Sequence, residues 1–150
     1  MKKNILTRGV ADDLTSRALQ LEKTHKAQWG KMNATEMLLH CNRANTQLLT
    51  ANQPYQPPTL KEYMVRFLAL YVAPRIPKNR KGAAINDTLG AAHDVHFDEQ
   101  KSEFVRIVSK LAQPGNQFRL LHPSFGYLTT KQWGRAAWLH LDHHLRQFGV

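Results

Sequence analysis

The chain has one cysteine, Cys41, in 150 residues, so no intramolecular disulfide can form, and this thiol usage fits a reducing cytoplasm. No apolar run approaches the ~20 residues that cross a bilayer, so no membrane span is expected. The start, Met1-Lys-Lys-Asn-Ile-Leu-Thr-Arg8, has a two-residue apolar run after its lysines, too short for a secretory h-region. Internal repeats, low-complexity tracts and strand-like alternation comparable in length to the helical segments are absent. No Ser-His-Asp, Cys-His, phosphate-loop or Rossmann pattern is evident, nor a recognition-helix signature, RNP-type aromatic motif or zinc-finger spacing. Acidic residues are scarce: 11 Asp and Glu stand against 21 Lys and Arg, a formal charge of +10.

With 42% hydrophobic residues, the chain suits one domain, residues 1–150, with a sizeable core. The apolar periodicity predicts an all-α fold of five helices, at about 11–26, 34–50, 59–73, 98–112 and 130–148. Asn33 with Glu36, Thr59 with Glu62, and Thr129 with Gln132 are capping pairs, and Met32 and Met37 are spaced as a hydrophobic staple. Pro54, Pro57 and Pro58 keep one connector out of helix. Residues 74–97, with Pro74, Pro77, Gly82 and Gly90, form a longer irregular stretch.

The last of these helices carries His140 and His144, one turn apart on one face. At roughly 100° per residue, Trp133, Ala137, His140, Leu141, His144 and Phe148 share a side, and Arg135, Asp142 and Arg146 lie opposite. Neutral imidazole is the commonest transition-metal ligand, and an i, i+4 pair needs only one or two more donors. His40 is the best third donor. It sits about two turns into the second helix, at the edge of the stripe Met37, Cys41, Ala44 and Leu48. If the two stripes pack together, three nitrogens converge in a helical core. Eight histidines make a chance pair feasible, and a histidine on an apolar face is more often a satisfied core residue. His143 is an alternative partner for His140, but its angle puts it at the flank.

Trp29-Gly-Lys-Met32-Asn-Ala-Thr-Glu-Met37-Leu-Leu-His40, His122-Pro-Ser-Phe-Gly126-Tyr-Leu-Thr129, and Trp133-Gly with His140-Leu-Asp-His143-His144-Leu-Arg-Gln-Phe-Gly149 resemble the DinB-like (YfiT-like) metalloenzyme superfamily. The nearest branch is carried only as a domain of unknown function. The resemblance spans nearly the whole chain and implies a four-helix bundle, made by the first, second, fourth and fifth helices, with the third an additional helix in the crossover connection. It implies a divalent transition metal (Ni, Zn, Fe or Mn) on His40, His140 and His144, and a homodimer. Relatives in that superfamily include metal-dependent transferases and isomerases that use low-molecular-weight thiols, and others proposed as hydrolases.

Three imidazoles leave a coordination position open, which suits a reactive site rather than a closed structural one. No fourth ligand has motif-like placement: Asp142 points away, and Glu36 is at most a partner behind His40. By the resemblance, the expected function is a metal-dependent enzyme, a thiol-dependent transferase or a hydrolase, acting on a small molecule. Arg75, Lys78, Arg80 and Lys81 in the loop 74–82 attract anions, so an anionic substrate is expected and specific nucleic acid is not. The alternative is a noncatalytic basic bundle that binds anions or nucleic acid. Whether the basic loop adjoins the histidines discriminates the two. Smaller claims attach to three other places: His93, His96 and Asp98 read as a solvated group, His122 either closes the mouth of the pocket or stabilises its turn, and Cys41 is a core residue.

Overall fold

The computed structural model describes residues 2–73, 75–79, 88–90 and 96–150. Among the described residues, five helices and a two-stranded hairpin make up the regular structure: α1 (Arg8–Gln20), α2 (Ala34–Thr50), α3 (Leu60–Phe67), α4 (Phe97–Leu111), β1 (Leu121–His122), β2 (Gly126–Tyr127) and α5 (Thr130–Gln147). A π-helical turn, Leu68–Val72, prolongs α3. The fold is thus mostly helical, as the periodicity predicts.

Three helices start where their caps dictate. At Asn33/Glu36, Thr59/Glu62 and Thr129/Gln132 each side chain bonds the other's backbone N–H, satisfying two donors that a helix start otherwise leaves unpaired. Helix α1 departs from expectation, running Arg8–Gln20 rather than 11–26. Its early start follows from anchoring of the preceding segment on α5, where Asn4 Nδ2 donates to Lys131 O at 2.8 Å and Ile5 N to Gly134 O at 3.2 Å. Its early end follows from Leu21, which turns extended and is fully buried, its carbonyl accepting from Lys101 Nζ at 2.8 Å. The hairpin is a second departure: with two residues per strand, pairing Leu121 with Tyr127 and His122 with Gly126, it is too short to leave a period in the sequence.

Helix α4 lies against α1 and α2, and α5 lies against α1, α2 and the π-helical turn. Leu14, Leu38, Phe104, Leu111, Leu141 and Leu145 are buried between them. Because α5 is covered on nearly all sides, the outward face assigned to Arg135 does not exist. The residue is 7% exposed, its Nε donating to Leu70 O at 3.3 Å and its Nη1 to Lys3 O at 3.0 Å, with the guanidinium 4.7 Å from the Trp138 ring centre. The N-terminal segment and the π-helical turn supply the cover, and neither contact is visible in the periodicity of α5. Asp142 and Arg146 do lie on the polar side, where the Asp142 carboxylate accepts from Arg17 at 2.9 Å and Arg146 at 2.8 Å.

Candidate metal centre

Helix α2 brings His40, and α5 brings His140 and His144, to one place. Their available ligand atoms lie within 4.8 Å of one another. His40 Nε2 and His140 Nε2 are 2.9 Å apart, and the ring centroids of the three are separated by 5.0, 4.7 and 4.7 Å. His144 is buried, whereas His40 and His140 are half-buried, so the cluster faces solvent on the His40–His140 side.

Burial holds these rings in the form that ligates. Desolvation first, then the neighbouring His144, His40, His143 and His122, push His140 well below the ordinary histidine range. Desolvation, then His40, take His144 down to about 3, against an opposing hydrogen bond from Gln147. Both are neutral at pH 7, each offering a ring nitrogen lone pair. The tautomer of His144 is fixed as well. Its Nδ1 donates to Gln147 Oε1 at 2.9 Å, which leaves Nε2 as the acceptor.

The nitrogen set fits a transition ion. Two nitrogens bonded at ~2.1 Å to a shared ion and at right angles stand about 3 Å apart, close to the 2.9 Å between His40 and His140. Among the described residues no carboxylate or thiolate joins the three. Glu36 is by spacing at most a partner behind His40, and its carboxylate bonds backbone N–H groups instead: Oε1 accepts from Gly90 N at 2.6 Å and Oε2 from Asn33 N at 2.9 Å, tying the crossover to the start of α2. Cys41 is a core residue as expected, its thiol pushed far up by burial and its Sγ 3.7 Å from Met37 Sδ.

Gln147 is the residue sequence reasoning missed. Besides receiving His144, its Nε2 donates to Trp29 O at 2.7 Å, and its own carbonyl accepts from Gln28 N at 2.8 Å. The α1–α2 loop is therefore clamped behind a member of the cluster. Gly30 makes room for the clamp: it has φ +80°, and a Cβ there would stand 2.6 Å from Gln147 Nε2. The position of Gln147 three residues after His144, on the same face, was the available signal.

His143, expected at the flank of the apolar face, is buried there, with only 7% of it exposed. Its ring meets Trp29 edge-on at 5.5 Å and lies 5.1 Å from His144. Desolvation, then Arg146, lower its pKa. It remains outside the three-histidine group. His122 stabilises its turn: Nδ1 accepts from Ser124 N at 3.1 Å and Phe125 N at 3.2 Å, and the ring stacks on Phe125 at 4.0 Å. It is also close enough to His140 to depress that residue's pKa.

Of the basic loop, Arg75 and Lys78 are described, and Pro74, Arg80, Lys81 and Gly82 lie outside the described residues, as does His93. Lys78 Nζ is 4.5 Å from the Trp29 ring centre. The rings of Trp29, His143 and His144 then lead from this cation to the cluster, so the described part of the loop adjoins the histidines. His96 is an exposed residue beside Glu99, consistent with a solvated group. A shallow groove of about 770 Å³, lined by Tyr55, Arg119 and Tyr127 among others, contains none of the three histidines.

Neither a curated protein nor a solved structure matches the chain. A family model does match, over residues 2–149, and with this coverage the chain belongs to the family described as Protein of unknown function (DUF1569).

Proposed function

We propose that the chain is a single-domain, DinB-like four-helix-bundle enzyme that holds one divalent transition ion on His40, His140 and His144 and acts on a small anionic molecule. The observation that carries the proposal is the convergence of three imidazoles with no fourth protein ligand among the described residues. Bound there with a position open, such an ion lowers the pKa of a water or thiol and polarises a carbonyl.

The chain's own groups do the rest. Low dielectric keeps His140 and His144 unprotonated, Gln147 orients His144, and half-buried His40 and His140 leave access for a ligand. Lys78, which has no ion pair among the described residues, supplies positive charge beside Trp29 for an anionic substrate. Among the described residues no carboxylate is placed as a general base, because Glu36 and Asp142 are both engaged in hydrogen bonds. Thiol transfer is therefore the favoured reaction: the sulfur bonds to an electrophilic carbon, the leaving group takes the broken pair, and the thiol proton passes to solvent.

The test is a screen of electrophiles with glutathione and related thiols, run beside ester and amide hydrolysis without thiol, in metal-loaded protein. Thiol-dependent turnover lost in His40→Ala is expected. Ester turnover without thiol, equally lost in His40→Ala, would make the protein a hydrolase. No metal-dependent turnover, with salt-resistant and sequence-selective nucleic-acid binding by metal-free protein, would overturn the enzyme reading in favour of a binding module.

A further inference from the structure

Helix α3 and its π-helical extension expose what a helix normally buries. Leu60, Tyr63, Met64, Phe67, Leu68 and Tyr71 are between 42% and 76% exposed, and their spacing places them on one stripe. The inner side of the same helix is apolar too, with Leu70 buried and Val65 and Ala69 packed on the core. A helix apolar on both sides is most stable where both are covered, yet the outer one meets solvent. At roughly 100 Å² for each half-exposed large side chain, the stripe presents on the order of 600 Å², at the upper end of what monomers expose and of a size that marks an interaction surface.

We infer that this stripe docks the chain on an anionic phospholipid surface, lying in the headgroup layer as an interfacial helix. The inference is independent of the metal site. Charge selects the occupant. Residues 51–86 hold six cations, Lys61, Arg66, Arg75, Lys78, Arg80 and Lys81, against one acid, Glu62, in a chain of net charge +10. Lys2 Nζ lies 5.9 Å from the Tyr71 ring centre and the Arg66 guanidinium 4.8 Å from that of Tyr63, so cations border the aromatic residues towards both ends of the stripe. Lys61 is exposed beside Leu60. The single acid is turned away: Glu62 accepts from Thr59 N at 2.8 Å, and a Cβ on Gly126 would stand 2.9 Å from its carboxylate, which places it against the hairpin.

Half-exposed tyrosines within an apolar stripe bordered by cations are the composition of helices that lie in an anionic membrane interface. A second copy would bring those cations against each other, and nucleic acid would leave the apolar side chains in water. Helix α3 buries none of its own residues and so stands proud of the bundle. A fluid interface accepts a protruding helix without the complementary groove that a protein partner would have to supply.

Co-sedimentation of the full chain with vesicles of phosphatidylcholine and phosphatidylserine should exceed that with phosphatidylcholine alone, and it should fall as sodium chloride is raised. Met64→Glu combined with Phe67→Glu should abolish it at unchanged helicity, whereas Lys2→Gln and Lys61→Gln should each lower vesicle affinity roughly fivefold. Hydrogen exchange of the wild-type protein needs no variant: amides of residues 60–72 should gain protection when the phosphatidylserine vesicles are added. No binding, equal binding to both vesicle types, binding indifferent to the double substitution, or protection of residues 60–72 that rises with protein concentration in lipid-free buffer would each overturn the inference.

Discussion

Gln147 Oε1 stands 2.9 Å from His144 Nδ1, and through the same side chain amide Nε2 reaches Trp29 O at 2.7 Å. One residue thus fixes which nitrogen of His144 faces the cluster and also fastens the α1–α2 loop behind it. Replacement of Gln147 by Leu should weaken metal binding by about 10–100-fold in a competition titration, while Gln147→Glu, which still accepts the Nδ1 proton, should retain or tighten it. Gly30→Ala should weaken binding in the same direction, because the new Cβ displaces the amide. Equal metal affinity in Gln147→Leu and wild type would reduce this residue to a loop anchor.

Protein purified without an affinity tag or chelator should carry close to one equivalent of metal by elemental analysis. His40→Ala, His140→Ala and His144→Ala should each remove most of it. His143→Ala should keep the metal and lose thermal stability instead, since its ring fills space between Trp29 and His144. Metal loss confined to the His143 variant would show that the wrong helical pair had been assigned.

Metal-free protein should lose stability as pH falls from about 6.5, the histidine value in an unfolded chain, towards about 3, where His144 protonates in the folded state. The sign follows from linkage: in that window the unfolded chain binds protons that the folded protein refuses, so unfolding free energy rises with pH. The slope should approach ~1.4 kcal/mol per pH unit for each such histidine, and His140 is depressed in the same direction. Denaturant titrations of wild type and His144→Gln at several pH values measure it, and an identical slope in both would contradict the assignment. Metal occupancy should fall on the same acid side.

Gly134→Ala should lower the melting temperature, although alanine is favoured over glycine inside a helix by about 1 kcal/mol. A Cβ at this position would collide with the Asn4 side chain and come to 2.7 Å from Leu6 Cγ. The N-terminal segment would then lift from α5, breaking the Ile5 N to Gly134 O bond. A raised melting temperature would show that the segment relaxes without cost.

Information local in sequence was enough for the helix starts, because a capping pair spans three residues and acts within one turn. That is why Asn33, Thr59 and Thr129 mark α2, α3 and α5. The i, i+4 spacing likewise put His140 and His144 on one face, and the edge position of His40 made it their best partner. Cys41 followed from its place in the apolar stripe.

What the sequence alone could not determine depends on which elements cover which faces. Arg135 and His143 read as outward or flanking because helical periodicity reports a residue's angle, not the segment lying across it. The N-terminal strip and the Trp29 loop bury them. Glu36, one turn before His40, had no role at the metal site that spacing could assign, and it is the crossover that brings Gly90 to its carboxylate. The clamp of Gln147 on the Trp29 loop and the approach of Lys78 to the histidines exist only through contacts between residues distant in the chain. Tertiary structure alone decides those, since closing such loops costs entropy that only the assembled core offsets.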